Sequence, residues 1–307
     1  MMNRTWLVFV VLALAGLVAP FVGYPIFLMK VLCFALFASA FNLLIGFTGL
    51  LSFGHAMFFG FAAYVSGHAA KVWGLTPEVA ILLGTLSAGA LGVVSGWLAV
   101  RRQGIYFAMV TLALAQMVYF ICVQAPFTYA EDGIQSIPRG KLLGVVDLAN
   151  DRVMYYLVFA VFMAGLLGIY RIIHSPFGQI LKSIRENEAR ALSLGYDVDR
   201  YKHLAFVLSA SLAGLAGATK SLAFGLATLT DVSWQMSGEV VLMTLLGGMG
   251  TILGPALGAT IVVTMQNYLS SLGSMVTIIM GVTFVACVLL FRRGIVGEIQ
   301  FRLGRKA

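Results

Sequence analysis

Ten apolar runs, most of them near the length needed to cross a bilayer, leave this chain few ways to fold. They lie near residues 5–23, 26–46, 50–70, 78–100, 104–125, 153–173, 203–225, 231–247, 252–269 and 272–291. Inside hydrocarbon every backbone N–H and C=O must be bonded within the protein, so a spanning segment is a helix or a strand of a closed barrel. The runs are uninterrupted rather than alternating, which excludes an outer-membrane barrel. Composition agrees: 60% of the 307 residues are hydrophobic and 10% charged, where a soluble domain carries about 25% charged residues. The sequence predicts an all-α polytopic membrane protein with a single transmembrane domain over 1–307. Its first run reads as a retained helix rather than a signal peptide, because no small-residue cleavage site follows and further runs come at once. Cys33, Cys122 and Cys287 stand alone in apolar runs, at spacings that suit neither a metal nor a disulfide framework, and packing is their expected role.

The eighth run is short and Gly-interrupted, so hydropathy alone allows nine or ten crossings. Charge favours ten. Basic residues in short loops gather on the cytoplasmic side. With ten crossings and the N-terminus inside, Arg4, Arg101, Arg102, Arg171, Lys182, Arg185, Arg190, Arg200, Lys202, Arg292, Arg293, Arg302, Arg305 and Lys306 all fall there. The outer loops keep Lys71, Arg139, Lys141 and Arg152, while Lys30 and Lys220 lie within spans near their ends. A net charge of +8 is then an orientation signal and an attraction to anionic lipid, and it calls for no nucleic-acid partner. The largest outer loop is expected at 126–152, with Glu131, Asp132, Asp147 and Asp151 among its charges.

One charged insert separates the sixth and seventh runs: Ser175–Gly195, SPFGQILKSIRENEARALSLG. It cannot sit in lipid, and about 20 residues are too few to fold alone. Ser175 reads as an N-cap, Pro176 as the first helical residue and Gly195 as the stop, which predicts one helix over 175–195. Leu181, Ile184, Ala191 and Leu192 fall roughly on one face, with Lys182, Arg185, Glu186 and Arg190 on the other. Such a helix either lies on lipid headgroups or docks in a groove of a soluble partner.

Two stretches interrupt helical periodicity with glycine and polar residues. They are Gly46–His55 (GFTGLLSFGH) and Gly247–Pro255 (GGMGTILGP). Irregular backbone at membrane depth is tolerated only where protein or water covers it, so each is either a packed turn or gate or a lining of the substrate path, where a helix N-terminus suits a carboxylate. Thr48, Ser52, His55, Gly248 and Thr251 are therefore candidate path or gate residues. Thr111 and Gln116 on the fifth run join them as weaker ones. His55 is a proton relay or, in the simpler reading, a hydrogen-bonded packing residue. Glu239 and Lys220 read as interfacial or ion-paired side chains rather than substrate groups. Stripes of small residues, Gly84, Ala88, Gly92 and Gly96 in the fourth run and Ser209, Ala210, Ser211, Ala213, Gly214, Gly217 and Ala218 in the seventh, predict close helix packing. The sequence contains neither a phosphate-binding Gly-rich loop with Lys-Ser/Thr nor an HExxH pair, so neither ATP hydrolysis nor metal chemistry is expected of this chain. An ion-coupled carrier would need ionisable residues near the membrane midplane, and these are scarce.

Four stretches resemble, in order, the branched-chain amino acid (Liv-type) permease family of ABC transporters. They are IGFTGLLSFGHAMFFGFAAYVSG (45–67), RRQGIYFAMVTLALAQ (101–116), the charged insert with its continuation DVDRYKHLAFVLSASLAGLAGA (197–218), and LGGMGTILGPALGA (246–259). The resemblance implies an M-type membrane subunit with a type II ABC importer permease fold, set in a bacterial inner membrane with both termini cytoplasmic. It favours the docking role for 175–195, with Leu181, Ile184, Arg185, Glu186, Glu188, Leu192 and Gly195 coupling to an ATPase. Implied partners are a second permease subunit, two cytoplasmic ATP-binding subunits that carry ATP and Mg, and a periplasmic solute-binding protein that meets the outer loop. No cofactor is implied for this chain. The implied substrate is a branched-chain amino acid, with another amino acid, urea or a short amide as alternatives. The outer loop departs from the family's Thr-Gly-Gly…Asp-Gly pattern: Thr128-Tyr129-Ala130-Glu131-Asp132-Gly133 lacks both glycines, which puts its conformation in question.

Overall fold

The computed structural model describes residues 2–142, 144, 146–270, 273, 275–290 and 294–298. The basic residues Arg292, Arg293, Arg302, Arg305 and Lys306, and the side chain of Cys287, lie outside them. Every predicted run coincides with a helix: α1 (Met2–Val22), α2 (Pro25–Thr48), α3 (His55–Lys71), α4 (Pro77–Ala99), α5 (Ile105–Gln124), α6 (Asp151–His174), α9 (Val198–Phe224), α10 (Trp234–Gly247), α11 (Gly254–Leu269) and α12 (Met275–Leu290). Of these, α2, α4, α5, α6 and α9 are long and apolar enough to cross a membrane; α3, α10, α11 and α12 have 14 to 17 residues.

The charged insert corrects one expectation. It is two helices, not one: α7 (Pro176–Glu186) and α8 (Glu188–Ser193), separated by Asn187 in extended conformation at φ −156° and ψ 99°. The Asn187 side chain accepts from the Arg190 N–H at 3.0 Å, so it caps α8 and the chain turns there rather than continuing.

Helix α2 is the hub. Pro at its first position suits a helix start, and Gly49 ends it in the left-handed conformation at φ +76°. From Cys33 to Thr48 every side chain is buried, against α6, α7, α9, α10 and α11, with Phe37 and Phe41 packed on Phe59 and His55 of α3. The two small-residue stripes meet as a seam between α4 and α9. A side chain added at Gly84, Gly92 or Gly96 would lie 2.8, 2.7 or 2.9 Å from Ala218, Ala210 or Phe206, and Gly214 presses on Ala88. Each four-residue step along α4 thus meets a four-residue step back along α9, which is an antiparallel pair packed backbone to backbone.

Polar contacts sort the helix ends into two faces. On the α7 face lie the ends joined by the turns 49–54, 100–104 and 248–253. On the opposite face the segment 125–150 is folded over the ends of α3 and α9. Ile134 pairs with Ala227 as an isolated antiparallel bridge, and the Lys71 ammonium donates to the Gln135 carbonyl at 2.8 Å. Arg139 bonds Asp151 at 2.6 Å and the Ala223 carbonyl at 2.8 Å. A two-residue ladder, β1 (Lys141–Leu142) with β2 (Val146–Asp147), closes its far end. Tyr129 and Ala130 occupy the left-handed region at φ +60° and +52°, so the conformation that two glycines would favour is kept without them.

Candidate functional site

Ser175 starts α7 by accepting from the Gly178 N–H at 3.3 Å. The apolar face of the helix turns inward: Leu181 and Ile184 are buried, Ile184 in a cluster with Ala191, Val198, Ile180 and Tyr201. Leu181 and Ile184 were expected to enter a partner's groove, and the structure gives both to the chain's own interior. The surface left open on α7 and α8 carries Glu186, Arg190, Leu192 and Leu194, with Gly195 exposed behind them. Beside it a shallow cavity of about 620 Å³ is lined by Phe177, Ile180, Tyr196, Tyr201 and Leu204, with Phe177 stacked on Tyr201 at 5.7 Å. Glu188, half-exposed, turns toward α9. Its Oε1 lies 2.7 Å from the buried Lys202 ammonium and accepts from Gln103 at 3.0 Å, which ties α8 to the start of α9 and to the 100–104 turn.

Arg185 links α7 to the helix bundle. Its guanidinium donates to the Gly46 carbonyl near the end of α2, and it reaches across Gly250, where any side chain would stand 3.2 Å from its Nη1. Asn42, one turn earlier on α2, accepts from the Gly250 N–H at 2.9 Å and donates to the Thr251 carbonyl at 2.8 Å. Both ends of its amide are therefore spent on the break between α10 and α11. Thr251 completes the knot: its hydroxyl donates to the Gly248 carbonyl at 2.7 Å and accepts from the Gly254 N–H at 3.1 Å, capping α11. Gly248 itself sits at φ +115°, open to glycine alone among common residues.

The first break is held differently. Ser52 accepts from the Gly54 N–H at 3.2 Å, Thr111 of α5 accepts from the Phe53 N–H at 3.2 Å, and Ser237 of α10 accepts from the Ala56 N–H at 3.0 Å. His55 Nε2 lies 2.8 Å from Ser209 Oγ, which lies 2.6 Å from the Ala40 carbonyl. A carbonyl only accepts, so the hydroxyl hydrogen goes to Ala40 and His55 Nε2 donates. The imidazole is further enclosed edge-on by Phe41, Phe58 and Phe206. The structure thus brings Ser52, His55 and Thr111 together, and separately Gly248 and Thr251. Thr48 bonds back to Leu44 within α2. Gln116 stands apart on α5, half-buried and without a hydrogen bond among the described residues. Sequence reasoning missed Asn42; its signal was a lone amide in the apolar run from Val31 to Ile45.

Residues 23–289 match the family described as branched-chain amino acid transport system / permease component. The chain belongs to this permease family. It is 27% identical over 249 residues to the high-affinity branched-chain amino acid transport system permease protein LivM of Salmonella typhimurium, and equally to that of Escherichia coli. Those alignments cover 74% of this chain but 59% of each relative, so the chain spans about three-fifths of their length. The ribose import permease protein RbsC of Bacillus subtilis is 26% identical over 238 residues, covering 72% of this chain and 70% of that one. No solved structure matches the chain significantly.

Proposed function

We propose that this permease is the membrane subunit of a binding-protein-dependent ABC importer that carries branched-chain amino acids across a bacterial inner membrane. The α7 face is then cytoplasmic, where the basic residues of the short loops gather. The observation that carries the reading is a pair of contacts meeting at the end of α2: Arg185 of the charged two-helix insert on the Gly46 carbonyl, and Asn42, one turn earlier, on Gly250 and Thr251 of the Gly-rich break between spans. A charged insert so wired to the spanning helices serves a soluble motor. Two ATP-binding subunits supply it, holding ATP and Mg themselves, and dock on Glu186, Arg190 and Leu192 and the adjoining aromatic cavity. A second permease subunit, different from this one, completes the pathway, and a solute-binding protein meets the 125–150 segment. This chain needs no cofactor of its own. Closure of the ATPases moves α7 and α8 as a rigid unit; Arg185 pulls on the end of α2 and loosens the 248–253 knot, switching the pathway between two packings.

The test is uptake of L-leucine into proteoliposomes energised by ATP alone. Arg185→Ala removes a charge-assisted hydrogen bond of about 1.5–3 kcal/mol, and is expected to lower leucine moved per ATP about tenfold or more while ATP hydrolysis continues. Uptake that follows an ion gradient in the absence of ATP would overturn the reading. A pentose is the second reading for the substrate, favoured by likeness to ribose permeases over 72% of the chain; uptake of ribose in the same vesicles decides between them.

A further inference from the structure

Four charged side chains lie toward the face opposite α7: Lys30 on α2, Lys220 on α9, Asp231 in the turn before α10 and Glu239 on α10. Lys220 and Asp231 are committed to each other: Nζ lies 2.5 Å from Oδ1 and 2.6 Å from Oδ2, with side chains 10% and 2% exposed. Asp231 also accepts from the Thr228 hydroxyl at 3.0 Å. Lys30 and Glu239 are in a different condition. Lys30 is half-buried with no hydrogen bond or ion pair among the described residues. Glu239, also half-buried, accepts from the Gln266 amide at 2.9 Å and has no ion-pair partner among the described residues. The Thr244 hydroxyl of α10 donates to the Ala38 carbonyl of α2 at 3.3 Å; the two helices run the same way, so Glu239, five residues before Thr244, lies level with Cys33, about one turn from Lys30.

Spacing places Lys30 on the inner side of α2. It precedes Phe37 by two turns and so shares its face. Phe37 stacks on Phe59 at 4.5 Å, and the Lys220 ammonium lies 6.0 Å from the centre of that same ring. Glu239 opens into a cavity of about 380 Å³ walled by Tyr119, Leu229, Gln235 and Met236. An ionisable side chain at membrane depth without a partner is costly and marks a substrate or ion route. Here one unsatisfied cation and one weakly satisfied anion sit on neighbouring helices, and the anion opens on a cavity of mixed apolar and polar walls.

We propose that Lys30 and Glu239 form a recognition site for a zwitterionic amino acid, the substrate carboxylate meeting Lys30 and its ammonium meeting Glu239. The inference rests on the amino-acid reading above and adds the residues that enforce it. The cluster of two cations and two anions is neutral, and a zwitterion entering it leaves it neutral while giving each unpaired group an opposite charge. A sugar offers neither group a counter-charge. An anion would face Glu239, and a cation would face Lys30. Leu229 and Met236 give the substrate side chain an apolar wall.

The experiment uses the complete importer in proteoliposomes, with L-leucine and ribose as the probes and ATP hydrolysis stimulated by loaded binding protein as the second readout. Glu239→Gln and Lys30→Met are each expected to lower leucine uptake about tenfold, as loss of one charge-assisted contact does, with stimulated ATP hydrolysis kept at the parent level. The charge-preserving Glu239→Asp and Lys30→Arg are expected to retain most of the uptake. Neutral variants that carry leucine as well as the parent would overturn the site. So would charge-preserving variants that lose uptake and hydrolysis together with the neutral ones, which would mark a structural role. If the parent carries ribose and not leucine, the amino-acid reading falls and takes the site with it. Leucine uptake that the substitutions leave untouched sinks the site alone.

Discussion

The two Gly-rich breaks look alike in sequence and are built on opposite principles. The 49–54 turn is fastened to α5, α9 and α10 by Thr111, Ser209 and Ser237, and His55 closes it within a ring of aromatic side chains. Its anchors come from three different helices. The 248–253 turn leans on one amide, Asn42, with Arg185 from the surface helix α7 alongside. One is a joint set in the core, and the other is a joint whose fastening can be reached from outside. Irregular backbone in a membrane protein must be covered, but what covers it decides whether it can move.

Three substitutions would break or sharpen this contrast. The largest effect is expected at Gly54→Val: an added side chain begins 2.5 Å from the Thr111 carbonyl, and such overpacking costs about 3 kcal/mol. Thermal unfolding in detergent should show it, with uptake and ATP hydrolysis falling together. A variant that stays stable but loses coupling would erase the distinction between the breaks. Asn42→Leu comes next. It leaves the Gly250 N–H unbonded at a cost of about 2 kcal/mol, and the leucine moved per ATP should fall further than stability does. If stability and uptake decline in step, the second break is as static as the first. The smallest effect has the opposite sign and serves as a control away from both. Ala130→Gly relieves a left-handed residue at φ +52°, worth about 1 kcal/mol, and should raise the unfolding temperature slightly.

Much of the architecture was legible because membrane helices announce themselves by length and apolarity. The small-residue stripes of α4 and α9 were read as packing devices, and they meet along one seam. Lys220 was read as interfacial or ion-paired, and it is held by Asp231. The site was less legible. Amphipathicity shows that a helix has an apolar face but not what covers it; in α7 the same chain covers it, so Leu181 and Ile184 read as an outward surface. The split at Asn187 was hidden because its neighbours are good helix formers and only a side-chain cap marks the turn. Asn42 escaped notice since its partners lie more than two hundred residues away on the backbone of another segment. The conformation of Tyr129 and Ala130 contradicts their propensities: the Lys71 ammonium, 5.1 Å from the Tyr129 ring, and the Ile134–Ala227 bridge hold the loop in place.

Helix α9 carries two buried lysines, Lys202 tied to Glu188 at one end and Lys220 tied to Asp231 at the other. Eighteen residues of helix separate them, a span of about 27 Å, close to the thickness of the hydrocarbon layer. The two ammonium groups act as moorings at the two shorelines of the membrane. A stroke of α9 along its own axis would drag one of them into oil and tear its tether, so the pair holds this mast against sliding.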